Sequence, residues 1–477
     1  MLTKIIQKAS PDYIHNSNES YCIRSSAIFY VPPSPTKTKI ILSNYWKFKS
    51  DIDVFLIVSW RNLSGKLRER KKLIFSEGTV RTLTPPDKLF GSCEIEAYAS
   101  KDLKFPYSAI MAVYESEESI SMVHSYSRIY SNIEVEEQNN ISDGHEGCWT
   151  IKDNDNINSF AVFHNGSQAA KKQLIKLNIT NKYGQIKKLN YEFKNLNPYE
   201  TIVIKPYDIY PEVIDFLNGE EGSCSVHFNV ANAFTRMLIG WQTKNKKELQ
   251  VTHSNFDFSI QETDLIDSEK NDGYMVMPSI KGKDISTIVY PDRTKGKYLV
   301  SVDQVNFLNL PDNLAFLKNK GNLIKFKRID GQMPSRLVTA LKISNLKNTA
   351  SIPCEMSHGI LHPLYAPKRF HWGIWSFKFK SLILITSYKE IYGEINNPEI
   401  VIKIYSEKNL NIPQIKLSWD EVSIDGVTSE LDIRKYFNKA NFDLNEYMYV
   451  SLYSNYPGFM MYTTLEKKYS FTLEHSF

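Results

Sequence analysis

The sequence predicts an all-β protein: four immunoglobulin-like or fibronectin-like β-sandwich units in tandem, arranged as an elongated multidomain chain. Three observations carry this expectation. Short β-branched and aromatic runs bounded by Asn, Gly, Pro and Ser recur along all 477 residues, as at Asp53 to Trp60, Gln173 to Ile179, Tyr298 to Val302, Ile400 to Tyr405 and Met448 to Leu452. A strand ending in histidine and then Ser or Gly occurs four times, at His124, His253, His358 and His475. A hairpin pattern precedes each copy, with Pro, Gly or Asn in its turn. Units of about 100 residues with about seven short strands have the size of an immunoglobulin-type sandwich.

The units follow in order. Residues 1–19 read as an N-terminal tail, 20–133 as unit 1, 134–147 as an acidic and polar linker, 148–260 as unit 2, and 261–273 as a second linker. Residues 274–362 form unit 3, the least regular, and 363–477 unit 4. Units 1 and 2 share the tripeptide Gly-Ser-Cys, at 91–93 and 222–224, which makes Cys93 and Cys224 equivalent core positions. Leucine followed closely by proline recurs after Leu83, Leu196 and Leu308 and marks a crossover between sheets, because proline is excluded from central strands. The basic block Lys66 to Lys72 reads as the solvent side of a strand. Helical periodicity is confined to Glu212 to Leu217 and Leu431 to Phe437.

Composition narrows the function classes. Apolar residues make up 42% and charged residues 23%, as in ordinary soluble proteins. No apolar run approaches the ~18 residues of a spanning helix, so membrane insertion is not expected. The 58 basic and 53 acidic residues leave a net charge of +5, too slight over this length to imply a nucleic-acid partner. The N-terminal segment lacks a secretory apolar core, which gives a cytoplasmic location by default and leaves leaderless export or incorporation into a particle compatible. Five cysteines without CxxC spacing imply neither a disulfide framework nor a zinc site.

Period 2 puts each strand-end histidine on the apolar face of its strand, with Ile120 and Met122 before His124, and Phe471 and Leu473 before His475. One histidine per separate sandwich is the wrong distribution for a metal site, so His124, His253, His358 and His475 read as structural repeat residues bonding loop carbonyls, with no metal and no cofactor. His358, His362 and His371 with Glu355 form an alternative catalytic or metal group for a glycan-acting hydrolase or metal-dependent enzyme between units. No HExxH, G-x-S-x-G or phosphate loop accompanies them. His145, Glu146 and His164 form a looser group, and Asp153 to Asn156 reads as a polar turn. Tyr98, Phe105, Tyr107, Trp241, Tyr453 and Tyr456, in or near hairpin turns, are the candidate ligand-binding aromatics. Repetition favours a non-enzymatic binding, structural or assembly protein over an enzyme, with a glycan or protein partner, because modules in series serve multivalent contact better than a single reaction centre.

Overall fold

The computed structural model describes residues 23–475 except 45, 48–50, 52, 75–79, 100–109, 125–127, 131–145, 229–233, 235–236, 257–271, 291–295, 303–304, 310–314, 319–322, 332–338, 346–351, 359–369, 388–390, 392–398, 409–411, 419–427, 438–441, 456–458 and 469. The strands fall into eight antiparallel sheets, two for each of four consecutive stretches of chain. The tandem all-β expectation therefore holds.

All four units share one strand order. In unit 1 the first to eighth strands are Ile23–Val31, Lys37–Ser43, Val54–Asn62, Leu67–Ile74, Val80–Leu83, Gly91–Ala99, Ile110–Glu115 and Ile120–His124. The fourth, third, sixth and first strands make one sheet; the fifth, second, seventh and eighth make the other, and units 2, 3 and 4 repeat this order. A short ninth strand, Arg128–Tyr130 in unit 1 and Asn255–Phe256 in unit 2, extends the first sheet. In an immunoglobulin constant-type sandwich the first two strands lie in the same sheet, whereas here they lie in opposite sheets.

Local chemistry accounts for several elements. Gly91-Ser92-Cys93 and Gly222-Ser223-Cys224 open the sixth strands, where Cys93 sits opposite Phe29 and Cys224 opposite Trp149. Both cysteines are fully buried. The basic block lies on Leu67–Ile74, an edge strand whose charged residues discourage pairing with a second chain. Pro85 and Pro86 lie between the fifth and sixth strands of unit 1, and Pro198 between the fourth and fifth of unit 2. Both connections cross between sheets, at different steps of the same order. The two expected helical segments are one turn each, Val213–Leu217 and the 3₁₀ piece Ile433–Lys435, and a further turn, Pro206–Ile209, precedes the first of them.

The arrangement of the units differs from the expected elongated chain. The eighth strands, Ile120–His124, Leu249–His253, Cys354–His358 and Ser470–His475, meet at one hub. There the strand of unit 1 packs on those of units 2 and 4, and the strand of unit 3 packs on the same two, which closes a ring. Apolar burial drives the closure. The core of unit 1 is continuous with Phe160, Val162, Leu238, Leu249 and Val251 from the outer face of a unit 2 sheet. The core of unit 3 likewise takes in Leu382, Leu384, Tyr462, Phe471 and Leu473 of unit 4. Ile41, Met111, Val113, Ile120 and Met122 of unit 1 pack on Trp372, Ile374, Tyr447 and Tyr449 of unit 4. The sheets that supply the hub strands are thus apolar on both faces, and a linear array would leave one of those faces in water.

The seventh strand of unit 2, Leu238–Thr243, shows how closely the hub is packed. A Cβ at Gly240 would come within 2.0 Å of the Gln250 carbonyl oxygen and 2.8 Å of the Phe160 ring. Gly240→Ala is expected to force the hub strand of unit 2 off its neighbour and to cost about 1–3 kcal/mol. Urea unfolding of the full chain checks this, and an unchanged midpoint would contradict the close packing.

Candidate functional site

The hub strands are the edge strands of their sheets, and an edge strand normally leaves a row of N–H and C=O groups unpaired. Here side chains of the neighbouring unit satisfy that row. The Ser119 hydroxyl accepts from the Leu249 amide at 2.7 Å and donates to the Leu249 carbonyl at 2.9 Å, while Ser121 accepts from the Val251 amide at 3.1 Å. Unit 4 treats unit 1 in the same way. Ser470 accepts from the Ile120 amide and donates to the Ile120 carbonyl, both at 3.1 Å, and Thr472 accepts from the Met122 amide at 3.2 Å. The Gln250 amide donates to the Ile120 carbonyl at 3.1 Å, the Ser470 hydroxyl at 2.8 Å and the Phe471 carbonyl at 3.3 Å, so one side chain ties units 1, 2 and 4. Alternate hydroxyls on the face opposite the apolar residues, Ser119 and Ser121 or Ser470 and Thr472, were the sequence signal for this interlock.

At the C-terminal end of these strands the histidines converge. The His124 ring centroid lies 4.5 Å from that of His253 and 5.2 Å from that of His475, and His253 and His475 are 6.4 Å apart. The expectation of isolated histidines, one per separate sandwich, is overturned. Its premise failed because the ring brings the strand ends of different units to one point. His124 donates from Nδ1 to Glu474 Oε1 at 2.9 Å, and His475 Nε2 lies 3.8 Å from the same oxygen. His253 donates from Nδ1 to the Ser254 carbonyl at 3.0 Å, which leaves its lone pair on Nε2. His124, His253 and Glu474 are 1–3% exposed, while the His475 side chain is 15% exposed. One candidate ligand atom from each of His124, His253, Glu474 and His475 lies within 4.8 Å of all the others.

His358 is the exception among the four. It pairs with Thr339, on the strand face that carries Cys354 and Met356 into the core of its own unit. Its ring lies 6.4 Å from that of His475, the same separation as between His253 and His475, but its Nε2 donates to the Val276 carbonyl at 2.9 Å, where the Tyr462 hydroxyl also donates at 2.8 Å. A backbone hydrogen bond links Leu473 to the Cys354 thiol, which burial pushes up to about 12. Cys354 thus occupies the place of Ser121 and Thr472, and the residue matching His124 is Ser357, one before His358. A slip of one residue turns a side chain to the other face of a strand.

Among the described residues the alternative catalytic group does not assemble. Glu355 lies on the face of its strand opposite His358 and binds the Thr150 amide at 3.1 Å and the Tyr290 hydroxyl at 2.6 Å. His371 is buried opposite Leu452 in unit 4, and His362 lies outside the described residues. Of the looser group, His145 is also outside them, whereas His164 bonds Thr201 at 2.9 Å and burial pushes its imidazole down to about 3. Asp153 and Asn154 accept from the amides of Ser159, Asn156 and Ile157, as a polar turn does.

Among the candidate binding aromatics, Tyr98 and Trp241 are fully buried and present no face to a ligand; Tyr98 stacks on Phe55 at 4.9 Å. Phe105, Tyr107 and Tyr456 lie outside the described residues. Tyr453 is 46% exposed.

No family model and no curated protein matches the chain. Among solved structures, the crystal structure of a tetra-tandem repeat in the extending region of a large adhesion protein is similar over 97% of this chain and 96% of that one, at 8% identity and a TM-score of 0.08. A likeness at that score carries no argument about fold or function. No helix among the described residues is long and apolar enough to cross a membrane.

Proposed function

We propose that the chain is a non-enzymatic binding or assembly component: four sandwich units, with the boundaries given above, fixed into one block that engages a glycan through its outward surfaces. The observation that carries this reading is where the polar groups converge. His124, His253 and Glu474 gather at a hub from which solvent is nearly excluded, so the convergence serves the body of the protein, and recognition falls to its outer faces.

Of the candidate aromatics among the described residues, Tyr453 on unit 4 offers an outward platform. Tyr453 sits directly between Phe370 and Val401 on neighbouring strands, and residues paired in register share a face. Farther along that face Tyr447 and Tyr449 are buried against unit 1, so Tyr453 emerges at the rim of an apolar seam. An exposed tyrosine flanked by apolar neighbours suits stacking on a sugar ring. A glycan array probed with the full chain and with Tyr453→Ala tests the proposal. Saturable binding to one glycan class, weakened at least about tenfold in the variant, is expected. Binding no stronger than that of an unrelated sandwich protein, or equal binding by the variant, would overturn it.

A further inference from the structure

We propose that the hub is a binding site for a divalent transition-metal ion of the Zn²⁺ class, held by His124, His253, His475 and Glu474, and that the ion fastens the ring by joining unit 1, unit 2 and unit 4. The donor set is three imidazoles and one carboxylate, which suits first-row transition ions over the oxygen-seeking Ca²⁺ and Mg²⁺. Zn–N bonds of about 2.0–2.1 Å place tetrahedral ligand atoms about 3.4 Å apart. The four donor atoms, already within 4.8 Å of one another, close to that spacing by side-chain adjustments of about an ångström.

Outer contacts prepare the site. A metal-binding histidine normally donates its second ring N–H to a carbonyl or carboxylate, which fixes the tautomer. His253 makes this contact with the Ser254 carbonyl and so directs Nε2 to the ion. Glu474 supplies the negative charge that a buried divalent ion requires, since the three imidazoles are neutral as ligands. His358 falls outside the set because its Nε2 is committed to the Val276 carbonyl and its strand is displaced by one residue. The ligands come from the first and last hub strands of the chain as well as the second, so binding closes the ring where units 4 and 1 meet. Ion binding at the hub does not depend on what the outer faces engage.

The test uses the untagged full chain, stripped with a chelator and titrated with Zn²⁺ by calorimetry, with Co²⁺ absorption as a second readout of the coordination sphere. One ion per chain is expected. His253→Gln and Glu474→Gln should each weaken binding by more than the 10–100-fold typical of outer-shell changes, whereas His358→Gln should keep the stoichiometry. His475→Gln is the variant least damaging to the fold, because its side chain is partly exposed where those of His124, His253 and Glu474 are buried; circular dichroism confirms that it is folded. Less than a tenth of an equivalent bound by the wild-type chain, or unchanged affinity in a folded His475→Gln chain, would overturn the proposal.

Discussion

Glu94→Ala is expected to destabilise the chain by about 3–5 kcal/mol, the usual result of leaving one charge of a buried ion pair alone. Glu94 lies on the sixth strand of unit 1 with its side chain fully buried, and the Arg61 guanidinium meets its carboxylate at 2.8 Å while itself only 6% exposed. The alternating residues Cys93, Ile95 and Ala97 enter the core of unit 1, so Glu94 and Glu96 face the other side of the sheet. There Arg70 pairs with Glu96 at 3.2 Å. Arg61 also lies over the Tyr199 ring of unit 2, 3.8 Å from its centroid, which makes the pair part of the junction between the first two units. Removing the carboxylate leaves a cation that can neither lose its proton nor reach water.

A companion double variant separates that cost from the net worth of the pair. Burying an ion pair costs desolvation at both groups, so an apolar pair of similar volume is often neutral or better. Arg61→Met with Glu94→Leu should therefore lose much less than Glu94→Ala alone, with the residual loss coming from the cation–π contact with Tyr199. Guanidinium unfolding of the three chains decides the matter. A Glu94→Ala midpoint equal to the wild type would mean that Arg61 finds another partner or water.

How much of this architecture was legible in the sequence depended on which physical signal each feature left. Period 2 and turn residues identified the strands and their grouping into four repeats. The shared Gly-Ser-Cys placed Cys93 and Cys224 at equivalent points, and each proves to open a sixth strand. Convergence left a weaker trace. Strand periodicity says which side chains share a face, but it does not say what that face meets. Ile40-Ile41-Leu42 and Leu382-Ile383-Leu384-Ile385 are apolar at consecutive positions, the mark of a strand buried on both sides. That mark, with the hydroxyls of Ser119, Ser121, Ser470 and Thr472, is the trace that packed units leave, and the expected elongated chain ran against it. His358 shows a second limit: it matches the other histidines in spelling but not in register, because Cys354 takes the place of a hydroxyl residue. Tyr98 and Trp241 show a third, since aromatic residues favour strands whether they face a core or water.

The junction between units 2 and 3 should respond to pH through Glu355. Its carboxyl is 4% exposed between the Thr150 amide and the Tyr290 hydroxyl, and burial pushes it from 4.5 up to about 7. A raised pKa means that the folded chain holds this proton more tightly than the unfolded chain does. The stabilisation is therefore fully present below about pH 4.5 and is lost as pH rises through about 7. The shift corresponds to about 3 kcal/mol. Glu355→Gln should imitate the protonated form: its carbonyl accepts from the Thr150 amide, its NH₂ donates to Tyr290, and the Tyr290 hydroxyl turns to Thr150 Oγ1, 3.2 Å away. The variant is expected to match the wild type at pH 4.5 and to exceed its stability by up to about 3 kcal/mol at pH 8. Urea unfolding of both chains at pH 4.5, 6 and 8 reads the difference directly, because every other titrating group is common to the two. A constant gap across the three conditions would place the ionised carboxylate comfortably in its site and remove the pH sensitivity of this junction. A gap that opens between pH 4.5 and 7 would mean that the ring is held at this seam by a proton, on the opposite side of the unit 3 hub strand from the face that carries His358.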